Sequence, residues 1–254
     1  MTSHLRKVVC SSILALGVAA GLTASASAQQ GTIQSVTFYT VKPDRVGDFQ
    51  AEIKEFNAIY AKGGSTNYSS MWVSLTGPRE YVRAQYYNKW SDLDAGPDPK
   101  LKDQAADLAR ISLRIIDCTE SWRRIIAEVQ PDLSIAATEM PKMIRVLTTD
   151  VRPERYNDYL ALVKSDILPA AQKGGAKMYE FSEMRYGAPN TEVTSIVAMD
   201  TWGDLDTGVG VQKALGKEGY QALLQKVRPL IVQSVVNEYR FQPDISYLPA
   251  APTK

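Results

Sequence analysis

The segment Val41-Lys42-Pro43-Asp44-Arg45 returns later in the chain as Val151-Arg152-Pro153-Glu154-Arg155, and the expected fold follows from that recurrence. Three further segments repeat in the same order. Lys62-Gly63-Gly64 returns as Lys173-Gly174-Gly175, Trp90-Ser91-Asp92-Leu93-Asp94 as Trp202-Gly203-Asp204-Leu205-Asp206, and Gln130-Pro131-Asp132-Leu133-Ser134 as Gln242-Pro243-Asp244-Ile245-Ser246. A period of about 110 residues is a domain length, well above that of solenoid repeats. The reading is a tandem duplication, with one unit over residues 33–135 and a second over 141–247. The joint falls in the small-residue run from Ala136 to Pro141, and residues 248–254 are expected to form a disordered tail.

Within each unit, period and punctuation give the order of elements. Ser35 to Val41 is β-branched and aromatic, which favours a strand. Pro43 opens a helix where its missing N–H costs little. Val46, Phe49, Ile53, Phe56 and Tyr60 then follow at helical spacing, and Gly63-Gly64 supplies a left-handed cap. In the second unit Tyr156, Tyr159, Leu160, Val163 and Ile167 form the same stripe ahead of Gly174-Gly175. A hairpin is expected next, residues 67–75 and 80–90 through Thr76-Gly77-Pro78, with 177–185 and 192–202 as its counterpart. A second helix follows, from Leu101 to about Ile116 and from Val211 to about Val232, and a last strand precedes each Gln-Pro-Asp stop. The fold class is α+β, two ferredoxin-like β-α-β-β-α-β units.

The N-terminal stretch reads as an export signal over residues 1–28: Arg6 and Lys7, an apolar run from Val8 to Leu22, and small residues at Ala26-Ser27-Ala28. The run is too short and too rich in small residues for a membrane span. A periplasmic or secreted location is expected. Loss of Arg6 and Lys7 leaves a nearly neutral chain, which gives no electrostatic case for nucleic acid or membrane partners. The single histidine, His4, and one of the two cysteines, Cys10, lie in the same segment. Without imidazole the remaining chain builds no His-ligated haem, no His-containing zinc site and no Ser-His or Cys-His nucleophile pair. Cys118 has no intrachain partner for a disulfide, and its acidic neighbours Asp117 and Glu120 argue for a buried filler, not a nucleophile.

Thr40 to Arg45 with Phe49, and Trp90 ahead of Ser91-Asp92-Leu93, resemble the dimeric α+β barrel superfamily, in particular its NIPSNAP-like and antibiotic-biosynthesis-monooxygenase-like members. The resemblance implies that two ferredoxin-like sheets pack into one barrel. Here both would come from one chain, an intrachain pseudo-dimer whose further oligomeric state is left open. It also implies a ligand pocket between sheet and helices in each unit. The activities it implies are cofactor-independent monooxygenation, haem or peroxide chemistry, isomerisation, and binding alone. The haem branches rely on a histidine, so no cofactor and no metal are expected.

Alternation places Arg83, Gln85 and Tyr87 on one side of the third strand. If that side faces a pocket, a cation and a phenol hold an acidic or phenolic ligand, with Tyr39 and Trp90 beside them. Otherwise it is a solvated or seam-forming strand. Trp90 and Trp202 are read as wedges between the second helix and the sheet, and Asp92 and Asp204 as helix-entry charges. Tyr179, Phe181 and Glu183 alternate with Glu180 and Ser182 on the second strand of the second unit, with Arg145 nearby. A buried Glu there could act as a base, and mutual pairing or solvation is the plainer reading. The resulting expectation is an exported small-molecule-binding protein. The alternatives are a cofactor-independent monooxygenase or isomerase acting on a small aromatic or acidic substrate, and an assembly module.

Overall fold

The structure, a computed structural model, describes residues 31–94 and 98–249. The export-signal reading over residues 1–28 and the end of the tail, 250–254, lie outside the described residues. Strand β1 (Ile33–Val41) leads through a single turn at Pro43–Arg45 into helix α1 (Val46–Lys62), which buries Phe49, Ile53 and Phe56. Gly64, at φ 65, turns the chain beyond the helix end, a conformation with no Cβ penalty for glycine. Strands β2 (Ser70–Ser74) and β3 (Tyr81–Tyr87) form the hairpin. The short α2 (Ser91–Asp94), a turn at Pro99–Gln104, α3 (Ala105–Asp117) and β4 (Thr119–Val129) complete the first half.

The second half runs β5 (Met143–Val151), α4 (Tyr156–Leu162), α5 (Leu168–Lys173), β6 (Tyr179–Tyr186), β7 (Glu192–Met199), α6 (Asp204–Thr207), α7 (Val211–Val227) and β8 (Ile231–Phe241). Between α4 and α5 the helix loosens into a π-turn over Val163–Ile167, where the Leu168 N–H reaches the Val163 carbonyl ahead of Pro169. Helix α7 stops at Val227, short of the expected Val232. Pro229 cannot donate to a helical carbonyl, and Ile231 is instead paired with Val151 of β5. Within α7 the backbone at Gly216 leaves helical geometry at φ 64.

Eight antiparallel strands close into one barrel in the order β1-β3-β2-β8-β5-β7-β6-β4. Closure occurs at two seams. Ile126 to Val129 of β4 pair with Tyr186 to Ser182 of β6, and Trp72 to Ser74 of β2 with Phe241 to Tyr239 of β8. Each seam is extended by the segment after the Gln-Pro-Asp stop. The Gln130 N–H donates to the Phe181 carbonyl at 2.8 Å, and Ser134 Oγ accepts from the Phe181 N–H at 3.0 Å. Gln242 and Ser246 make the same two bonds to Met71, at 2.8 and 2.9 Å. Ile135 then bridges to Tyr179, and Tyr247 to Ser69. The end of each half is therefore stitched onto the second strand of the other. Ile245 joins the core under α1, while Leu133 and Ile135 join the core of the second half.

Apolar clusters fill the space between sheet and helices in both halves, and a third lines the barrel interior. Burial of both sheet faces is the reason strands such as β5 carry apolar residues at both parities. The two repeated tryptophans depart from the expected wedge role. Trp90 is 41 % and Trp202 44 % exposed. β3 ends at Tyr87 and β7 at Met199, so the chain has left the sheet before either Trp, and Trp90 rests edge-on against Tyr186 at 5.8 Å. Asp92 and Asp204 do sit at helix entries, accepting backbone N–H bonds from Asn88 and Lys89 and from Asp200 and Thr201. Cys118 is buried, and burial pushes its thiol up despite the neighbouring Arg45 guanidinium.

Phe49, wedged between the Tyr39 and Tyr81 rings in a fully buried site, and Trp90 set opposite expectations. Phe49→Ala lowers unfolding free energy by about 3–5 kcal/mol, whereas Trp90→Ala lowers it by less than about 1 kcal/mol. Denaturant titration of both variants checks this, and a Trp90 loss equal to that of Phe49 contradicts the placement.

Candidate functional site

Alternation along β3 sends Arg83, Gln85 and Tyr87 to the helix side of the first half. There they meet a cleft of about 670 Å³ floored by the sheet and walled by α1 and α3. Tyr39 and Thr37 enter from β1, Trp122 and Arg124 from β4, and Phe56 and Tyr60 from α1. Four of the five residues singled out in the sequence thus share one cleft. Trp90 is not among its lining residues and faces outward instead. Arg124 was not singled out, although its register opposite Thr37 places it across the same floor.

The two guanidiniums are held by neutral groups. Arg83 lies 4.7 Å over the Phe56 ring and reaches Ser69 Oγ at 3.4 Å. Arg124 Nε donates to Ser35 Oγ at 2.8 Å. Among the described residues neither arginine is engaged in an ion pair, while the rim carboxylates are otherwise occupied. Asp92 caps backbone N–H groups, and Asp98 accepts from Ser65 Oγ at 2.6 Å and from the Lys100 N–H. Burial pushes the Tyr87 phenol up, and the positive charges of Arg124 and Arg83 act against that rise. The cleft thus sets two guanidiniums without acidic partners among aromatic side chains.

The matching face of the second half has a different character. Ser195, Val197 and Met199 of β7 look toward the helices, and Val197 packs among Val163, Phe181 and Val211. Tyr179 hydroxyl and Ser195 Oγ, 3.1 Å apart, satisfy one another there.

A second space runs inside the barrel, about 510 Å³ in volume. Glu180 projects into it from β6 and is only 4 % exposed. Gln34 Nε2 donates to its Oε1 at 3.1 Å and the Tyr86 hydroxyl to its Oε2 at 3.1 Å. Among the described residues no cation stands beside it, and burial raises its carboxyl to about 7 against the pull of those two donors. Tyr86, half-buried and next to the carboxylate, is pushed well above its ordinary value by burial and by the nearby negative charge. The other two charges singled out on these strands are paired. Glu183 accepts from the Tyr156 hydroxyl at 3.0 Å and faces Arg185, and Arg145 is bound to Glu238 at 2.8 Å. Glu183 and Arg145 are thus paired, though with Arg185 and Glu238 and not with each other as the sequence reading expected, and Glu180 is neither ion-paired nor solvated.

No protein-family model and no curated relative matches this sequence. Solved structures do. A candidate monooxygenase from Fusobacterium nucleatum superposes with TM-score 0.59 at 13% identity, covering 84% of this chain and 93% of its own. An anthrone oxidase-like protein gives 0.58 at 15%, covering 89% and 97%. A chlorite dismutase variant from Candidatus Nitrospira defluvii gives 0.52 at 7%, covering 87% and 95%. The fold is the closed barrel of the dimeric α+β type.

Glu180 makes stability depend on pH. Between about 4.5 and 7 the folded chain keeps a proton that the unfolded chain has released, so stability falls as pH rises through that window. Above it the full penalty is present, on the order of 3 kcal/mol. Glu180→Gln, isosteric with the neutral acid, is expected to raise the melting temperature by roughly 5–10 °C at pH 8. At pH 4 it should leave the melting temperature unchanged. Thermal melts across this range check it, and a gap independent of pH would contradict the assignment.

Proposed function

We propose that this chain binds a small aromatic molecule carrying a carboxylate or an acidic phenol in the helix-side cleft of its first half. The observation that carries the reading is the pair Arg83 and Arg124, converging on a cleft rich in tyrosine with only hydroxyl and aromatic partners of their own. A guanidinium offers a planar fork of donors, and the anion's carboxylate or phenolate accepts them. Tyr39, Tyr60 and Tyr87 supply ring faces for the aromatic body, and Gln85 a further donor or acceptor.

The chain is further read as a duplicated ferredoxin-like unit. The sheet order β4-β1-β3-β2 recurs as β8-β5-β7-β6, and the Gln130/Ser134 and Gln242/Ser246 bonds occupy corresponding positions. On this view the second half has given up its cleft to packing and serves as the barrel partner of the first. Removal of residues 1–28 and function outside the cytoplasm complete the reading, on the strength of the basic, apolar and small-residue pattern of that segment.

Catalysis at the same cleft is the second reading. The shared fold with a candidate monooxygenase and an anthrone oxidase-like protein favours it. A phenolate held by two arginines is also electron-rich enough to be the reactive partner of oxygen without a protein cofactor. Oxygen uptake with anthrone, measured with an electrode, separates turnover from binding.

Calorimetric titration with salicylate, against benzyl alcohol as the uncharged control, tests the primary reading. Salicylate binding is expected, benzyl alcohol binding is not, and Arg83→Ala is expected to weaken salicylate by about tenfold or more. Equal affinity in wild type and variant would remove Arg83 from the site.

A further inference from the structure

The barrel interior offers a ligand environment opposite to that of the cleft. Its wall is apolar over most of its length, built from Val36, Trp72, Val82, Ile144 and Ile196. Its polar content is one-sided. Glu80, Glu139, Glu180 and Glu192 line it, and among the described residues Arg123 is its single basic lining residue. The Arg123 guanidinium lies 3.6 Å over the Phe38 ring, and Arg123 itself is exposed. Val235 and Pro78 are exposed on the same lining, so the space communicates with solvent there.

Glu180 is the deep polar feature of this space. Its two donors leave it without a counter-charge, although both carboxylate oxygens have room to accept more than one hydrogen bond. A buried carboxylate held only by neutral donors is costly, and a cation brought against it removes that cost. Trp72, Tyr239 and Tyr86 line the same space, and aromatic rings attract cations at their faces.

From this geometry we infer a second binding site, inside the barrel, for a small apolar amine whose ammonium group pairs with Glu180 and whose hydrocarbon body fills the apolar wall. The volume, about 510 Å³, lies within the range of small-molecule pockets. The site is distinct from the arginine-lined cleft and does not depend on the function proposed for it. The two spaces sort ligands by charge, anions on the helix side and cations on the barrel axis.

The groups facing Glu180 set the pH behaviour. Gln34 from β1 does not titrate. Tyr86 from β3 and Tyr68, which precedes β2, are both shifted upward by burial, Tyr68 to about 12, and stay protonated. β7 presents Ile196 directly opposite, with Glu192 farther along the strand and Arg123 of β4 near it. Glu180 is therefore the group whose ionisation switches on amine binding as pH rises through neutrality.

Isothermal titration with three indoles of common body and different head tests the inference: tryptamine as the cation, tryptophol as the neutral alcohol and indoleacetate as the anion. At pH 8 tryptamine is expected to bind about tenfold or more tightly than tryptophol, and to weaken several-fold at pH 6. Glu180→Gln is expected to reduce tryptamine affinity by about tenfold, abolish its pH dependence and leave tryptophol within about twofold. Val146→Phe, which fills part of the barrel space, is expected to weaken both tryptamine and tryptophol. Indoleacetate should be insensitive to Glu180→Gln, because any binding it shows belongs to the cleft. Tryptophol binding as tightly as tryptamine, an unchanged tryptamine affinity in Glu180→Gln, or one in Val146→Phe each overturns the proposal.

Discussion

The barrel depends on a reciprocal exchange of chain ends. Ser134 and Ser246 each accept a backbone N–H from the second strand of the opposite half, and Gln130 and Gln242 each donate to the carbonyl of that same residue. These four bonds, with the Ile135–Tyr179 and Tyr247–Ser69 bridges, extend the seams beyond the short β4–β6 and β2–β8 ladders. The exchange also carries apolar cargo, since Ile245 lies under α1 and Ile135 under the helices of the second half. Hydrogen bonds set the register, and burial of these side chains supplies the driving force.

This arrangement explains why the two faces of the sheet have different chemistry. The helix side is divided between the halves, so each can specialise. In the first half Arg83, Gln85 and Tyr87 keep an open polar cleft, whereas Ser195, Val197 and Met199 in the second accompany a packed core. The inner side is shared by all eight strands, so a residue such as Glu180 on β6 meets partners from the distant β1 and β3. Glu180 is buried in that interior with no counter-charge among the described residues, and it accordingly holds its proton up to about neutrality.

Much of this was legible in the residues. Helical spacing found Phe49, Ile53 and Phe56, and strict alternation on β3 correctly grouped Arg83, Gln85 and Tyr87, because both rest on local geometry. Trp90 failed because the strand ends three residues earlier, and beyond a strand's end alternation says nothing about direction. The overrun of α7 has a similar origin: Ile231 and Val232 suit either helix or strand, and pairing with β5 decides between them. Glu180 was not legible for a deeper reason. Alternation sets Glu180 and Ser182 opposite Tyr179 and Phe181, and a polar parity reads as the solvated face of a strand; closure of the barrel by distant strands buries that face instead. Its partners lie 146 and 94 positions away along the chain.

Tyr86 and Tyr68 line both spaces, their rings 6.5 Å apart. The partition between the arginine-lined cleft and the barrel interior therefore includes these two phenol rings. Shortening Tyr86 would do more than enlarge either chamber: it would join them into one passage with guanidiniums at one end and a carboxylate stripped of its hydroxyl donor at the other. Evolution or engineering acting on this wall therefore cannot retune one compartment while holding the other constant.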